Sequence, residues 1–498
     1  MSIAFFDTLT GQRAPFEPRE PGKAKVYVCG PTVYDFAHLG HVRCYTVFDV
    51  LVRHLRDRGI EVTYVRNITD VDDKILVRAK ERGEEPLALS RRFTEAFFED
   101  MARLGVARAD VEPKVSDHIG EILALIERLI GSGHAYAADG DVYFDVASFP
   151  DYGKLSHRKL ADLAAGASGR TGADETQRKR NAADFALWKR VASDDAFGWE
   201  SPWGRGRPGW HIECSAMSMK HLGETFDLHG GGLDLVFPHH ENEIAQSEAA
   251  TGQPFSRLWV HNGFVEVAKE KMSKSLGNFF TARELMERVE PEALRWFVLT
   301  VGYRSPLNFD WEQDDAGQVV GFPSLEEAER RVEYLYRTRV RLAGLPEARL
   351  VPEAELPEVI ARYPEALSAA LDDDLDFPEA LALTAGFLSA ANEVVDLALR
   401  KKGKAGRNVL AAIARGYEKM AAVLGVGGDD PDALLRRIRG RRIRHKGLTE
   451  ADVDAKLAAR TEARAAKDFA RADAIRDELA ALDIEVMDSP SGSTWRVL

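Results

Sequence analysis

The sequence predicts an α/β protein whose first part contains a parallel sheet. Residues 24–29 (AKVYVC) read as a strand that ends at a Gly-Pro pair. A helical pattern follows over residues 42–58, and residues 61–66 (EVTYVR) read as a second strand. This β-α-β order builds parallel sheets. Because ligands of such sheets bind beyond the carboxyl ends of the strands, residues 29–41 lie where a nucleotide is expected.

The same kind of pattern returns later in the chain. The pattern resumes at residues 226–237, and it continues with a predicted helix over 238–250 and a predicted strand near 258–267. Between the two stretches, a helix at 116–133 and a polar, Ala/Gly-rich loop at 161–184 indicate an insertion, with short strand-like pieces in between. The parallel-sheet domain is therefore predicted to be interrupted.

The second half of the chain is predicted to be mostly helical. Beyond residue 320, Leu, Ala, Glu and Arg recur at helical spacing up to residue 424, which is typical of a helix bundle. The end reads as one helix over 451–482 followed by a strand-turn-strand segment. We therefore predict a parallel-sheet domain at 1–115 and 201–320, an insertion at 116–200, a helix bundle at 321–430 and a small α/β unit at 431–498.

The composition argues against several classes of protein. The chain has 498 residues, of which 45% are hydrophobic and 30% charged, and no segment approaches the ~18 uninterrupted apolar residues of a membrane helix. The first residues lack the basic and apolar regions of a secretory signal, so a cytoplasmic protein without a membrane span is predicted. Three cysteines cannot form a disulfide framework, which leaves metal or thiol chemistry.

The charge is unevenly distributed along the chain. The net charge is -13, but residues 401–498 carry 20 basic and 15 acidic side chains. Residues 436–446 (RRIRGRRIRHK) contain seven positive side chains and no acid, and Arg436, Arg437 and Arg439 are candidate contacts for a phosphate backbone. A solvated surface face is an equally good interpretation of this tract by itself.

Two short motifs are candidates for binding nucleotide phosphates. His38-Leu39-Gly40-His41 lies in the turn before the first helix, where free backbone N–H groups and the helix dipole attract phosphate. Lys271-Met272-Ser273-Lys274-Ser275 places two ammonium groups three residues apart, which suits a triphosphate that loses pyrophosphate. Each motif alone could be ordinary polar surface. Together and in this order, they resemble the two signature sequences of class I aminoacyl-tRNA synthetases.

A third set of residues has the chemistry of a metal site. Cys29 ends the first predicted strand, Cys214 follows the turn-rich segment GWHIE, and His239 and Glu243 are four residues apart on a predicted helix. Two thiolates, an imidazole and a carboxylate form a good zinc set. From spacing alone, buried cysteines and polar residues beside a helix start are at least as good an explanation. Cys44 has no matching partner and is interpreted as packing.

Four segments of the sequence make the resemblance specific to one family of this class. CGPTVYDFAHLGH, GRPGWHIECSAM, DLHGGGLDLVFPHHENEIAQ and EKMSKSLGNF are similar to the cysteinyl-tRNA synthetase family, and the similarity extends over essentially the whole chain. The resemblance implies a Rossmann-like catalytic domain that activates L-cysteine with Mg-ATP, forms cysteinyl-adenylate and transfers cysteine to tRNA(Cys), as a monomer. It implies one zinc ion held by Cys29, Cys214, His239 and Glu243.

The resemblance also implies roles for other residues. ATP is expected to bind Pro31, Thr32, His38, Gly40, His41 and residues Lys271, Met272, Ser273, Lys274 and Ser275, with His38, His41, Lys271 and Lys274 catalytic. Trp210 and His229 are expected in the amino-acid pocket, and the C-terminal helical and basic regions are expected to read the anticodon. Zinc would select the substrate thiol, because an apolar pocket resolves sulfur from oxygen only ~100-fold or less.

Three other functions fit parts of the sequence. A ligase that joins activated cysteine to an amino sugar shares the catalytic half, but the 178 residues after Val320 count against it. A non-catalytic zinc protein that binds RNA through the basic end predicts no exchange of pyrophosphate into ATP. A zinc hydrolase is the weakest fit, because no Glu-x-x-His arrangement supplies a general base beside an open metal site.

Overall fold

The structure is a computed structural model that describes residues 2–159, 178–192, 197–267, 270–271, 279–489 and 492–497. Its centre is a parallel sheet of four strands, β3 (Lys23–Val28), β4 (Glu61–Arg66), β9 (Phe226–Gly232) and β10 (Ser256–Asn262). They lie in the order β10-β9-β3-β4, which confirms the predicted fold class. A hairpin of β1 (Ala4–Asp7) and β2 (Gln12–Pro15) precedes the sheet.

The predicted strands and helices of this domain are largely confirmed. The first helix, α1 (Leu39–Asp57), begins three residues earlier than predicted, because the His38 side chain accepts a hydrogen bond from the Gly40 N–H and caps it. The segment near 258–267 is two strands, because β10 belongs to the central sheet while β11 (Val265–Val267) pairs with β12 (Glu270–Lys271) and β13 (Leu307–Phe309).

Helices cover both faces of the sheet and complete the first domain. Val26, Val28 and the α1 residues Val47, Phe48 and Leu51 are fully buried in the main core. The remaining helices of this part are α2 (Asp73–Arg82), α3 (Pro86–Arg103), α5 (Trp210–Leu222), α6 (Glu241–Thr251), α7 (Ala282–Arg288) and α8 (Pro291–Val298). The parallel pairing brings Cys29, Gly232 and Asn262 to the same edge of the sheet.

The insertion is a helix followed by an antiparallel sheet. Helix α4 (Ile119–Gly131) leads into β5 (Ala135–Ala138), β6 (Asp141–Phe144), β7 (Phe185–Arg190) and β8 (Gly206–Pro208), which pair in that order. The sheet ends at Pro208, eight residues beyond the predicted limit at 200. Most of the predicted loop at 161–184 lies outside the described residues.

The helical region consists of long helices that pack against one another. They are α9 (Pro323–Ala343), α10 (Glu358–Asp372), α11 (Phe377–Leu399) and α12 (Arg407–Leu424), with short strand pairs at β14 (Glu312–Gln313), β15 (Val319–Gly321), β16 (Leu350–Val351) and β17 (Ala405–Gly406). By length and composition, α11 could cross a membrane, although half of it is buried inside the protein. Its buried Asn392 donates a hydrogen bond to Thr338 of α9, as expected of a core helix in this bundle.

The C-terminal end differs from the prediction. The basic tract lies on a helix, α13 (Pro431–His445), that the sequence did not predict. The single helix predicted over 451–482 is two helices, α14 (Glu450–Ala465) and α15 (Phe469–Ala480), because Lys467 adopts a left-handed conformation and Asp468 caps the second helix. The predicted strand-turn-strand end is the hairpin of β18 (Ile484–Ser489) and β19 (Gly492–Val497).

Candidate active site and metal centre

The first signature motif forms the beginning of helix α1. The His38 N–H donates to Nδ1 of His41 at 3.2 Å, and the two imidazole rings stack with centroids 3.8 Å apart. A Cβ atom at Gly40 would lie 2.8 Å from the His38 ring, so this pairing of the histidines requires glycine between them. The motif therefore places two stacked imidazole rings at a helix N-terminus, a position that favours the binding of phosphate.

A cavity of about 280 Å³ opens at this edge of the central sheet. It is lined by the predicted ATP-binding residues of the first motif and by the predicted metal and amino-acid residues; these are Pro31, Thr32, His38, Gly40, His41, Cys29, Cys214, His239 and Trp210. The residues predicted to bind ATP and the residues predicted to bind a metal and the amino acid therefore line the same cavity. This agrees with the rule that ligands of parallel sheets bind beyond the carboxyl ends of the strands.

Four predicted metal ligands meet at the base of this site. The Sγ atoms of Cys29 and Cys214 are 3.7 Å apart, and the Cys29 Sγ lies 3.5 Å from Glu243 Oε1. His239 Nε2 is 3.1 Å from the same carboxylate oxygen. All four side chains are buried, and their ligand atoms lie within 4.8 Å of one another. Two sulfurs, one imidazole nitrogen and one carboxylate oxygen at this spacing suit a zinc ion.

A second group of four donors overlaps the first. Cys29 and Glu243 also lie close to His229 and His240, again with ligand atoms within 4.8 Å. His229 Nε2 is 2.9 Å from Glu243 Oε2, and His240 Nε2 is 3.3 Å from the Cys29 sulfur. Both histidines are fully buried, whereas Cys29, Cys214 and His239 line the cavity. Only the first group therefore combines two sulfur donors with a face toward the cavity, among the residues that the structure describes.

Further histidines surround the donors. His211 Nδ1 is hydrogen-bonded to His239 Nδ1 at 3.0 Å, and His240 Nδ1 is hydrogen-bonded to His261 Nε2 at 2.8 Å. Burial lowers the pKa of His229 and of His261 to about 3, so both rings are neutral at neutral pH. A hydrogen bond on the second ring nitrogen fixes the orientation of a metal-binding imidazole, which is what His211 does for His239.

In the protein chain itself, burial disfavours the charged forms of two of the donors, Cys29 and Glu243. Burial raises the pKa of Cys29 well above its ordinary value, and the neighbouring Cys214 adds to this shift. Burial likewise raises the pKa of Glu243 well above its ordinary value. A cation in this site would therefore have to displace protons from its ligands.

Helix α5 carries Trp210 and Cys214 one turn apart, where the sequence indicated a turn. The Trp210 ring stacks on the His239 ring with centroids 4.1 Å apart and an interplanar angle of 19°. Trp210 therefore forms a wall of the cavity beside the donor cluster, and its predicted role in an amino-acid pocket stays a prediction. His229 differs from the prediction, because it is fully buried behind the cavity lining, stacks on Trp259 and contacts Glu243 instead of lining the pocket.

The second signature motif is described only in part. Lys271 is the last residue of β12, and Met272, Ser273, Lys274 and Ser275 lie outside the described residues. The predicted roles of Lys271 and Lys274 therefore stay predictions. Lys74 of α2, which the sequence analysis did not single out, also lines the cavity.

The basic tract is more strongly paired than its sequence indicates. Arg437 contacts Glu290 and Asp429, and Arg439 contacts Glu450. Arg441 is buried between the carboxylates of Glu290 and Glu329. Arg436 and Arg444 are exposed and form no ion pair with the residues that the structure describes. The predicted RNA contact by Arg436, Arg437 and Arg439 stays a prediction; of the three, Arg436 is the one whose side chain forms no ion pair with the described residues.

Family models match both ends of the chain. The model described as "tRNA synthetases class I (C) catalytic domain" matches residues 15–317, and the model described as "Cysteinyl-tRNA ligase anticodon binding domain" matches residues 446–496. Among solved structures, the fold is similar to that of Mycobacterium tuberculosis methionyl-tRNA synthetase in complex with methionyl-adenylate. That match has a TM-score of 0.60 at 16% identity and covers 86% of this chain and 94% of the other.

Curated relatives match over the full length. The cysteine–tRNA ligase of Anaeromyxobacter dehalogenans is 53% identical over 503 residues, and that of Geobacter metallireducens is 48% identical over 505 residues. In both cases the alignment covers 100% of each chain. With this identity over the whole length and with both family models matched, the chain belongs to the cysteine–tRNA ligase family of class I aminoacyl-tRNA synthetases.

Proposed function

We propose that this protein attaches L-cysteine to tRNA(Cys) at the expense of ATP, in two steps that share the 280 Å³ cavity. In the first step, a carboxylate oxygen of cysteine attacks the α-phosphorus of ATP and the bond to pyrophosphate breaks. In the second, a ribose hydroxyl at the end of the tRNA attacks the acyl carbon and AMP leaves, with the hydroxyl proton passing to a phosphate oxygen of AMP. The observation that carries the proposal is the convergence of the phosphate motif and the donor cluster on this one cavity.

The first motif supplies the phosphate site. The α1 N-terminus and the stacked rings of His38 and His41 stand on one wall of the cavity, beside Pro31 and Thr32. Imidazole donors at the positive end of a helix dipole stabilise negative charge on a phosphate. We assign Lys271 and Lys274 to the pyrophosphate side of the same reaction, because two ammonium groups near the leaving group offset its growing charge.

The donor cluster supplies selectivity for sulfur. We assign one zinc ion to Cys29, Cys214, His239 and Glu243; bound there, it supplies a soft Lewis acid that favours a thiolate over a hydroxyl as an additional ligand. The protein's part is to position the donors and to direct the substrate side chain toward them. Trp210 and His239 stack against each other at the cavity wall, so an amino acid beside Trp210 has its side chain next to the two sulfurs.

The C-terminal part supplies a surface for tRNA. Residues 446–496 match an anticodon-binding domain in the family. A groove of about 830 Å³ lies between the catalytic domain and α13. Its lining includes the exposed Arg436 and Arg444, the ion-paired Arg437 and Arg441, and the acidic residues Glu290, Glu292, Asp429 and Glu450. We assign contacts with the phosphate groups of tRNA to the exposed Arg436 and Arg444. We also propose that the enzyme acts as a monomer in the cytoplasm.

The amino-sugar ligase is the competing candidate that shares this active site. It would use the same adenylate chemistry, so pyrophosphate exchange cannot separate the two functions. The full-length match to cysteine–tRNA ligases and the helical and C-terminal parts favour tRNA as the acceptor.

The deciding experiment compares acceptors and amino acids with the purified enzyme. We expect cysteine-dependent exchange of pyrophosphate into ATP, little exchange with serine, and formation of cysteinyl-tRNA(Cys). Exchange together with transfer to an amino sugar and none to tRNA would support the competing ligase. RNA binding with no cysteine-dependent exchange would support a non-catalytic RNA-binding protein and contradict the proposal.

A further inference from the structure

One short segment of the insertion packs against the start of helix α6, which carries Glu243. This segment, the strap, consists of residues 152–158 between β6 and β7. It turns back on itself, because the Arg158 N–H donates to the Gly153 carbonyl group at 3.1 Å. Gly153 has a φ of +99°, and a Cβ atom there would lie 2.0 Å from the Arg158 carbonyl oxygen. The strap therefore has a defined backbone shape that requires this glycine.

A buried carboxylate of α6 binds the backbone of the strap. Glu241, the first residue of α6, is fully buried. Its Oε1 atom accepts hydrogen bonds from the N–H groups of Gly153 at 2.9 Å and Leu155 at 3.4 Å, and its Oε2 atom accepts one from the Ser156 N–H at 2.8 Å. A buried carboxylate is stable only when its oxygens are hydrogen-bonded or paired, and converging backbone N–H groups meet this need. Glu241 and the strap therefore hold each other in one arrangement.

Further contacts join the strap to the chain on both sides of Glu241. They are the Arg158 guanidinium over the Phe237 ring, the Tyr152 hydroxyl to Asn242, and the ion pair of Lys154 with Glu248. The Tyr152 hydroxyl donates to Oδ1 of Asn242 at 2.5 Å. Leu155 is fully buried in the small core cluster that also contains Cys29 and Cys214. The strap therefore packs against α6 and against the core around the two sulfur donors.

The metal donors and Glu241 project from opposite sides of one helical turn. His239 and Glu243 are four residues apart and face the donor cluster together, whereas Glu241 is two residues from each of them. The turn is therefore held between the donor cluster on one side and the strap on the other. Cys29 and Cys214 belong to other elements, since Cys29 follows β3 and Cys214 lies on α5. The strap thus acts on the nitrogen and oxygen donors, while β3 and α5 fix the sulfur donors.

We propose that the strap positions the start of α6 for metal binding, with Glu241 as the positioning residue. It keeps His239 and Glu243 beside the two cysteines, so that the four donors are already close together before an ion binds. Groups that orient the ligands of a metal typically contribute ~10- to 100-fold to metal affinity. The proposal rests on the zinc assignment of the proposed function, and it gives the insertion a part in holding the metal.

The test is how tightly the purified enzyme holds zinc. Glu241→Gln keeps the size of the side chain, but its amide nitrogen cannot accept a hydrogen bond from a strap N–H group. We expect the zinc affinity, measured by competition with a chromogenic chelator, to fall ~10- to 100-fold. X-ray absorption of the zinc-loaded variant should still show both sulfur neighbours, because β3 and α5 are untouched, with weaker scattering from the imidazole. A purely structural role would lower the thermal midpoint and leave zinc affinity and the absorption spectrum unchanged.

Glu248→Gln is the matched control. Glu248 lies on the same helix and also contacts the strap, through Lys154, but it is more than one turn beyond Glu243. Its replacement should change zinc affinity by less than about twofold. Tyr152→Phe is a milder variant of the strap itself, because it removes only the hydrogen bond to Asn242. It should weaken zinc binding ~2- to 10-fold, the range for one hydrogen bond.

The possible outcomes are distinct. A wild-type zinc affinity in Glu241→Gln overturns the proposal, and so does a loss of sulfur neighbours with the imidazole retained. If Glu241→Gln does not fold, an unchanged zinc affinity in Tyr152→Phe overturns it. If the wild-type enzyme holds zinc but activates no cysteine, the proposed function fails while the zinc affinities still decide the role of the strap. If the wild-type enzyme holds no zinc, the metal assignment fails and the role of the strap fails with it.

Discussion

The donor cluster and the basic helix α13 contrast two ways in which charged and polar residues can be arranged. In the donor cluster, Cys29, Cys214, His239 and Glu243 converge on each other and are surrounded by further histidines. On α13, the arginines diverge toward carboxylates of other elements, among them Glu290 and Glu329. The converging donors indicate that one ion is bound at a single position. The diverging arginines show that most of a basic tract can form ion pairs that stabilise the fold, so that only a few of its side chains are left to contact a partner.

The largest effect is expected when one residue of the donor cluster is replaced. Cys214→Ser replaces a thiol by a hydroxyl that is a poorer zinc ligand. We expect zinc content to fall and cysteine activation to drop more than ~100-fold, since changes even to residues that support ligands cost 10- to 100-fold. Atomic absorption and pyrophosphate exchange measure the two effects.

The control for this variant is Cys44→Ser, which removes the third cysteine of the chain but no proposed ligand. It should retain full zinc content. Full zinc occupancy in Cys214→Ser would remove Cys214 from the ligand set.

The second prediction concerns the contribution of the buried Arg441 of the basic tract to stability. Arg441→Ala removes a buried guanidinium that contacts Glu290 and Glu329, both only 3% exposed. Breaking a buried ion pair on one side costs ~3–5 kcal/mol, so we expect a clearly lower thermal midpoint. Arg436→Ala, on the same helix but exposed, should change stability by less than ~0.5 kcal/mol. Equal midpoints for the two variants would show that the buried arginine does not stabilise the fold.

The third prediction is the pH dependence of metal binding. Burial raises the pKa values of Cys29 and Glu243 in the metal-free protein, so these groups hold protons at pH values where they would ordinarily be ionised. Because binding of a cation displaces those protons, apparent zinc affinity should rise with pH, by up to about tenfold per pH unit for each proton released. Competition with a chelator at several pH values measures it. A zinc affinity that does not change with pH would contradict the assignment of Cys29 and Glu243 as ligands.

The smallest effect is expected for the exposed arginines. Replacing Arg436 and Arg444 by Ala should raise the KM for tRNA and reduce the slope of log affinity against log salt by about 1 for each phosphate that the protein no longer neutralises. Pyrophosphate exchange should not change. Arg439→Ala is the control. Because Arg439 already contacts Glu450, its replacement should change the salt slope less than replacement of the exposed arginines. An unaltered salt slope in the double variant would mean that the tract does not contact tRNA.

Residue types and the family resemblance together predicted the donor cluster, because spacing along the chain left ordinary buried residues as an equally good explanation. Cysteine and histidine are uncommon, and a parallel sheet brings the ends of its strands to one edge, so Cys29 and the β9–α6 segment had to meet. The supporting histidines were harder to find. His211 and His261 act through contacts with His239 and His240 across different elements, and no spacing along the chain reveals such contacts.

The sequence did not predict α13 or the break after α14, for different reasons. The tract 436–446 is dominated by arginine, and its apolar residues Ile438 and Ile443 are too few to display a clear helical face. They are buried in two different cores, the first in the main core and the second in the C-terminal one. The break at Lys467 depends on a left-handed backbone conformation of a lysine, which residue preferences do not predict.

The role of the donor cluster in selecting cysteine is tested most directly by X-ray absorption of the zinc-loaded enzyme with and without amino acid. With Cys29 and Cys214 as ligands, the metal should have two sulfur neighbours in the free enzyme. Addition of cysteine should raise this number to three, and addition of serine should leave it at two. An unchanged count of two sulfurs in the presence of saturating cysteine would contradict recognition of the substrate thiol by the metal.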